Sequence, residues 1–202
     1  MKTVSIILFF LPSAISWAQT RIDTTYQVEL TATASPMISV FRNPSVPGTD
    51  HKTSLGYGIF VRGMWHPGRL LSVGFMTGYL LIDQDELPIN RSLASQLTTE
   101  NLNYSARLTA IPMQLAISMQ KHDFEIGMGI GPYIMLSTIE GGNTASAHGR
   151  RLELGMTFFS SYFFSLNDNI KIGPELRVLY LRYRGILSLM PSCSFRIDAV
   201  RY

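Results

Sequence analysis

Histidine, cysteine, serine and the carboxylates are the side chains with which this chain could do acid–base, nucleophilic or metal chemistry. His51 follows Asp50, His66 opens a His66-Pro67-Gly68-Arg69 turn, His122 precedes Asp123, and His148 follows Ser146-Ala147. All four fall in segments that read as loops or turns, where a histidine is ordinarily solvated. No two of them have the H-x-x-x-H spacing that sets two metal ligands on one helix face. Cys193 is the single cysteine, so no cysteine pair can bind metal or close an intrachain disulfide. The serine near His148 lacks the glycines of a nucleophile elbow, and Gly141-Gly142 is a loop pair without a phosphate-binding fingerprint. No catalytic residue, cofactor site or metal site is therefore expected.

One constellation does stand out, through its parity. Glu29, Arg62, Arg107, Glu125, Glu153, Glu175, Arg177, Arg196 and Asp198 fall in segments that alternate with period two, on the faces opposite the large apolar residues. Those apolar faces carry Val28, Leu30, Phe124, Ile126, Met128, Ile130, Leu152, Leu154, Met156, Phe158, Phe195 and Ile197. Five acids against four arginines can pair with one another, and burial without a partner would be strongly unfavourable. The chemistry implied is an internal salt-bridge network. It would fill a narrow interior; a proton path or ion-selective pore is the sharper alternative.

The elements that must position these charges are long strands. From Leu55 the chain reads Leu55, Tyr57, Ile59, Val61, Gly63, Trp65 on one face and Ser54, Gly56, Gly58, Phe60, Arg62, Met64 on the other. Leu71, Val73, Phe75, Thr77, Tyr79 and Leu81 alternate likewise with Ser72, Gly74, Met76 and Gly78. Eight such segments are predicted: 27–41, 53–65, 70–82, 102–118, 123–136, 150–164, 170–183 and 190–202. They exceed the ~5–6 residues of a globular strand and suit the ~9–11 that a tilted strand spends in hydrocarbon. Pro36 and Pro112 should introduce bulges or bends, because proline cannot donate to the ladder. Connections alternate long (42–52, 83–101, 137–149) with tight (66–69, 119–122, 165–169), the rule of membrane barrels. The 83–101 connection, with Asp83, Asp85, Glu86, Leu87, Ile89, Leu93 and Leu97, is the candidate recognition surface and accommodates a short amphipathic helix.

Composition and the N-terminus agree with this. Lys2, the apolar Val4–Leu11 run and Ser16-Trp17-Ala18 form a secretory signal peptide over 1–18, with the barrel domain over 19–202. The chain is 46% hydrophobic and 15% charged, low in charge for a soluble domain, and its net charge of +3 gives no nucleic-acid footprint. Aromatic residues gather near strand ends: Tyr26, Trp65, Tyr162, Phe164 and Tyr202 at one rim, Phe41, Tyr104, Tyr180 and Tyr183 at the other. Such girdles mark membrane interfaces. The fold class expected is all-β: an eight-stranded antiparallel up-and-down transmembrane β-barrel behind a cleavable signal peptide.

The motifs Ile111-Pro112-Met113-Gln114-Leu115 and Gly127-Met128-Gly129-Ile130-Gly131-Pro132-Tyr133, with the terminal aromatic Tyr202, resemble the PorT-like outer-membrane β-barrel proteins common in Bacteroidota. These are relatives in architecture of the small OmpX- and OmpA-type barrels. The resemblance implies an outer-membrane location with both termini periplasmic. It also implies a C-terminal strand read by the barrel-assembly machinery. In that strand the alternation of Phe195, Ile197 and Ala199 breaks before Val200 and Tyr202, which suggests a bulge. The functional expectation is a non-enzymatic structural or interaction barrel. It would sit in outer-membrane lipid and meet an envelope or extracellular protein through its loops. A narrow channel for ions or small solutes is the alternative, and a lipid-modifying enzyme is the third reading.

Overall fold

The computed structural model describes residues 27–41, 52–67, 70–89, 102–141, 146–167, 169–182 and 185–201. The predicted signal peptide, His51, Tyr26, Tyr183 and Tyr202 lie outside these residues. The strands are β1 (Gln27–Phe41), β2 (Lys52–His66), β3 (Leu71–Ile89), β4 (Leu102–Lys121), β5 (Phe124–Gly141), β6 (Ser146–Tyr162), β7 (Phe164–Ser165), β8 (Ile170–Leu181) and β9 (Ile186–Arg201). β7 continues the register of β6 against β8, with Phe163 between them, so the wall has eight staves.

Every stave pairs antiparallel with two neighbours, and β1 closes the sheet by pairing with both β2 and β9. Closure leaves no unpaired edge within the barrel wall, which is the condition for standing in lipid. Following the ladder from Glu29 through Met64, Gly74, Ala116, Gly129, Thr157, Leu179 and Ser188 returns to β1 at Ser39, ten residues along from Glu29. A stagger of this kind forces the strands to tilt.

The register corrects two expectations. Pro36 pairs with Tyr57 and Pro112 with Tyr133 in unshifted ladders, so neither proline makes a bulge. The register shifts fall instead at Ile82, between Leu81 and Asp83, and at Ala199, where Val28 pairs with Val200 but Glu29 with Asp198. The second of these is the parity break of the closing strand. The 83–101 connection is also shorter than expected: Asp83–Ile89 pair with Leu102–Leu108 as strand, not helix. Likewise Ser137–Glu140 pair with Ser146–Gly149. β3 to β6 therefore rise past the rest of the wall as a four-stranded ledge on the loop end.

Inward glycines make the narrow interior packable. A Cβ on Gly74 would stand 2.0 Å from the Gly63 carbonyl oxygen, so strands β2 and β3 approach there as only glycine allows. On Gly127 and Gly129 it would meet Phe159 at 2.4 Å and Met76 at 2.8 Å, the large side chains that occupy the space. The lumen is divided by height. At the loop end it is mainly apolar, filled by Met37, Phe41, Leu80, Ile82, Leu179, Leu181, Ile186 and Met190 around a buried Ser39–Ser188 hydroxyl pair. Phe41 thus belongs to this inner plug and not to the outer girdle where its position near a strand end had placed it.

Candidate functional site

Below the apolar plug, toward the short turns, the lumen is lined by charge. Arg62, Arg177 and Arg196 are the three largest fully buried side chains, and Glu29, Glu125 and Glu175 are buried with them. The contacts alternate in sign. His66 Nε2 lies 2.9 Å from Glu29, whose other neighbour is Arg196 at 3.0 Å. Arg196 passes to Glu125, which also accepts from Arg62 Nη2 at 2.9 Å. Arg62 Nη1 reaches Glu175 at 3.7 Å, and Glu175 is held by Arg177 together with the hydroxyls of Ser161 (2.8 Å) and Ser194 (3.0 Å). Within this chain of contacts three arginines oppose three glutamates, so its charges balance before His66 is counted; Glu153 and Asp198 are buried outside it.

Each guanidinium also lies flat on a phenyl ring: Arg62 on Phe159 at 3.9 Å, Arg177 on Phe60 and Arg196 on Phe163 at 3.8 Å. The ring face attracts the cation electrostatically and excludes water. Above Arg177 the polar chain ends neutrally, with Tyr133 and Thr157 joined at 2.7 Å and Thr157 donating to Gln114 at 2.9 Å. The apolar cluster begins there and the salt-bridged run ends below it; at the level of the cluster the buried polar groups are Glu153, Thr109 and the Ser39–Ser188 hydroxyl pair (2.7 Å).

The remaining candidates are placed as follows. Asp198 is buried on β9 opposite Glu29, and Glu153 is buried higher up, near Arg151 (3.8 Å). Arg107 is exposed and corrects the inward assignment. Because β4 runs through Pro112 without a bulge, Arg107 keeps the outward parity of Leu115 and Ile117. It stands above the apolar belt, where an outward charge costs little. His66 and His148 are also corrected: His66 ends β2, buried with Glu29 and Ser72, and His148 is an exposed strand residue of β6. His122 is exposed in the β4–β5 turn at φ 56°. Parity alone missed His66, because its turn motif masked a strand end. The phenyl partners Phe60 and Phe159 share the parity of the charges, and that was their available signal. Among the described residues no three His, Cys, Asp or Glu side chains converge as a metal site.

The outer surface is the complement of the lumen. Leu115 (70% exposed), Leu152 (67%), Leu154 (57%) and Ile126 (54%) lead a continuous apolar band around the wall. Trp65, Tyr162 and Phe164 are exposed at its turn end and Tyr180 toward its loop end; Tyr104 sits in β4 at the level of the ledge. From Tyr162 up to Leu152 a strand tilted by ~40° climbs about 25 Å, the height of a membrane barrel's apolar band.

This inside-out barrel has the fold of the small outer-membrane β-barrels. Solved structures agree at the level of fold. The chain is similar to Neisserial surface protein A, with 8% identity over 87% of this chain and 99% of that one at a TM-score of 0.52. It is similar also to Ail, the attachment invasion locus protein of Yersinia pestis, solved with the heparin analogue sucrose octasulfate, with 9% identity over 85% and 99% at 0.51. No protein-family model and no curated protein matches the chain by sequence.

Proposed function

We propose that this chain is a non-enzymatic outer-membrane barrel that works as a sealed anchor, presenting its β3–β6 ledge to a partner outside the cell. The observation that carries this reading is the division of the lumen into a neutralised salt-bridge layer and an apolar plug. Arg62, Arg177, Arg196, Met76, Leu80, Ile82 and Tyr133 are all at most 1% exposed, so the interior is occupied where a channel would need to be open. Effort spent on filling the barrel and extending four strands beyond it suits display better than transport. In this reading residues 1–18 direct export and are removed, both termini are periplasmic, and the closing strand with Tyr202 is the signal for barrel assembly. The motifs around Ile111–Leu115 and Gly127–Tyr133 resemble those of the PorT-like barrels, which supports this reading.

Planar-bilayer recording on the purified, refolded protein tests it. The expected result is no discrete conductance above that of the empty membrane. Reproducible single-channel steps would instead establish the narrow-channel reading. Cutting back the ledge by joining Ile82 to Leu108 and Met135 to Arg151 with tight turns is expected to leave a folded barrel, since the plug and the charge layer lie below it.

A further inference from the structure

Three arginines stand on the outside of the wall where the apolar belt ends. Arg107 on β4 and Arg150 on β6 are exposed and share the parity of the outward residues below them, Leu115 on β4 and Leu154 on β6. Arg182 follows β8, also exposed; its backbone N–H donates to the carbonyl of Leu154 at 3.4 Å, which extends the ladder and sets it beside that outward leucine. No side-chain ion pair joins any of the three to another described residue. Arg107 and Arg150 are two strands apart and offset by two residues along the ladder, about 12 Å at the usual strand spacing and rise. Arg107 pairs with Thr138, and Thr138 with His148, which brings a further basic group into the row. Among the described side chains the acid on this face is Glu140, one row farther from the belt, between Ser105 and Ser146; Glu86 of β3 pairs with Ser105 in that same farther row.

We propose that Arg107, Arg150 and Arg182 form a docking row for the phosphate groups of a membrane lipid whose acyl chains lie on the belt beneath. Two features commit the row to lipid. It is continuous with the apolar surface of the same strands, so one ligand can satisfy both. Its height is that of the headgroups, where a basic residue costs little and can meet phosphate directly. The planar, five-donor guanidinium matches phosphate oxygens in pairs, and at a membrane surface each such cation adds to retention. A lipid with two phosphates on a disaccharide has the span to engage two of the arginines at once. The proposal rests on the barrel standing in a membrane but not on what the ledge displays.

The test compares wild type with an R107Q/R150Q/R182Q variant, refolded in neutral detergent and titrated with diphosphorylated lipid A followed by native mass spectrometry. Both proteins should show the heat-modifiable gel mobility of a folded barrel, because all three arginines are exposed and none takes part in the buried salt-bridge network. Wild type is expected to hold the lipid at least tenfold more tightly than the variant. Lipid A stripped of its phosphates should bind wild type no better than it binds the variant. Equal retention by the two proteins, or equal binding of the two lipids, would overturn the proposal. So would displacement of the lipid by micromolar inorganic pyrophosphate, which would mark the row as a site for soluble anions. Each of those failures leaves a folded, sealed barrel intact and so is distinguishable from failure of the anchor reading.

Discussion

At the scale of the residue, the network hangs on shared carboxylates. Glu125 serves both Arg62 and Arg196, and no solvent reaches any of the three. Removing one partner of a buried pair leaves an uncompensated charge, which typically costs about 3–5 kcal/mol. Glu125→Ala leaves three buried arginines against two glutamates, with Arg196 held by Glu29 alone and Arg62 by the more distant Glu175, and is expected to destabilise by about that much, read as a lower denaturant midpoint for unfolding in vesicles. Replacing all three residues with apolar ones of similar volume (Arg62→Met, Glu125→Leu, Arg196→Met), together with Glu29→Gln because Arg196 is the arginine partner of Glu29, should recover most of the loss; Glu175 keeps Arg177 and two hydroxyls. That outcome would mark the network as a filler. Failure to recover would mean that its hydrogen bonds select the fold. The inward charges were legible from parity wherever the strand was regular. Arg107 departs from the inward set because the ladder runs straight through Pro112 and keeps it on the parity of Leu115, and His66 ends β2 although Pro67-Gly68 beside it has the composition of a turn.

At the scale of the element, glycine placement distinguishes wall from lumen. Gly63 faces outward, and a Cβ there would meet only Leu30 at 3.5 Å, an ordinary contact. Gly74 faces inward against the Gly63 carbonyl at 2.0 Å and Met64 Sδ at 2.7 Å. Gly63→Ala should therefore fold as wild type, whereas Gly74→Ala should sharply reduce the folded fraction in a heat-modifiability assay. Equal yields would show that the β2–β3 approach can relax. Period-two alternation gave the positions of the eight staves, because inward and outward environments differ so strongly in a membrane barrel. It understated their lengths at β3–β6. Above the belt both faces are wet, so the hydrophobic alternation fades although the hydrogen-bonded ladder continues through Asp83–Ile89 and Ser146–Gly149. The two bulges differ in legibility: Ala199 broke the parity of a strand visibly, whereas Ile82 lies in a Leu80-Leu81-Ile82 run in which any register looks apolar.

At the scale of the whole molecule, this barrel is inside-out. Charges occupy its core, and its apolar surface faces lipid. A basic residue placed at the middle of the belt should then cost about 2–4 kcal/mol. Leu115→Arg is expected to show that loss on folding into vesicles, while Gln84→Arg, beside Arg107 on the ledge, should be near neutral. The most direct test reads the two faces along a single strand. With Cys193 changed to serine, single cysteines introduced from Ile111 to Met119 of β4 carry spin labels in vesicle-embedded protein. Collision with dissolved oxygen and with a water-soluble nickel complex is then measured at each. Labels at Met113, Leu115, Ile117 and Met119 should report high oxygen and low nickel access, alternating with labels at Gln114, Ala116 and Ser118 that are shielded from both. Nickel access at Leu115 and Ile117 equal to that of an exposed soluble site would contradict the lipid-facing belt, and with it the sealed membrane anchor.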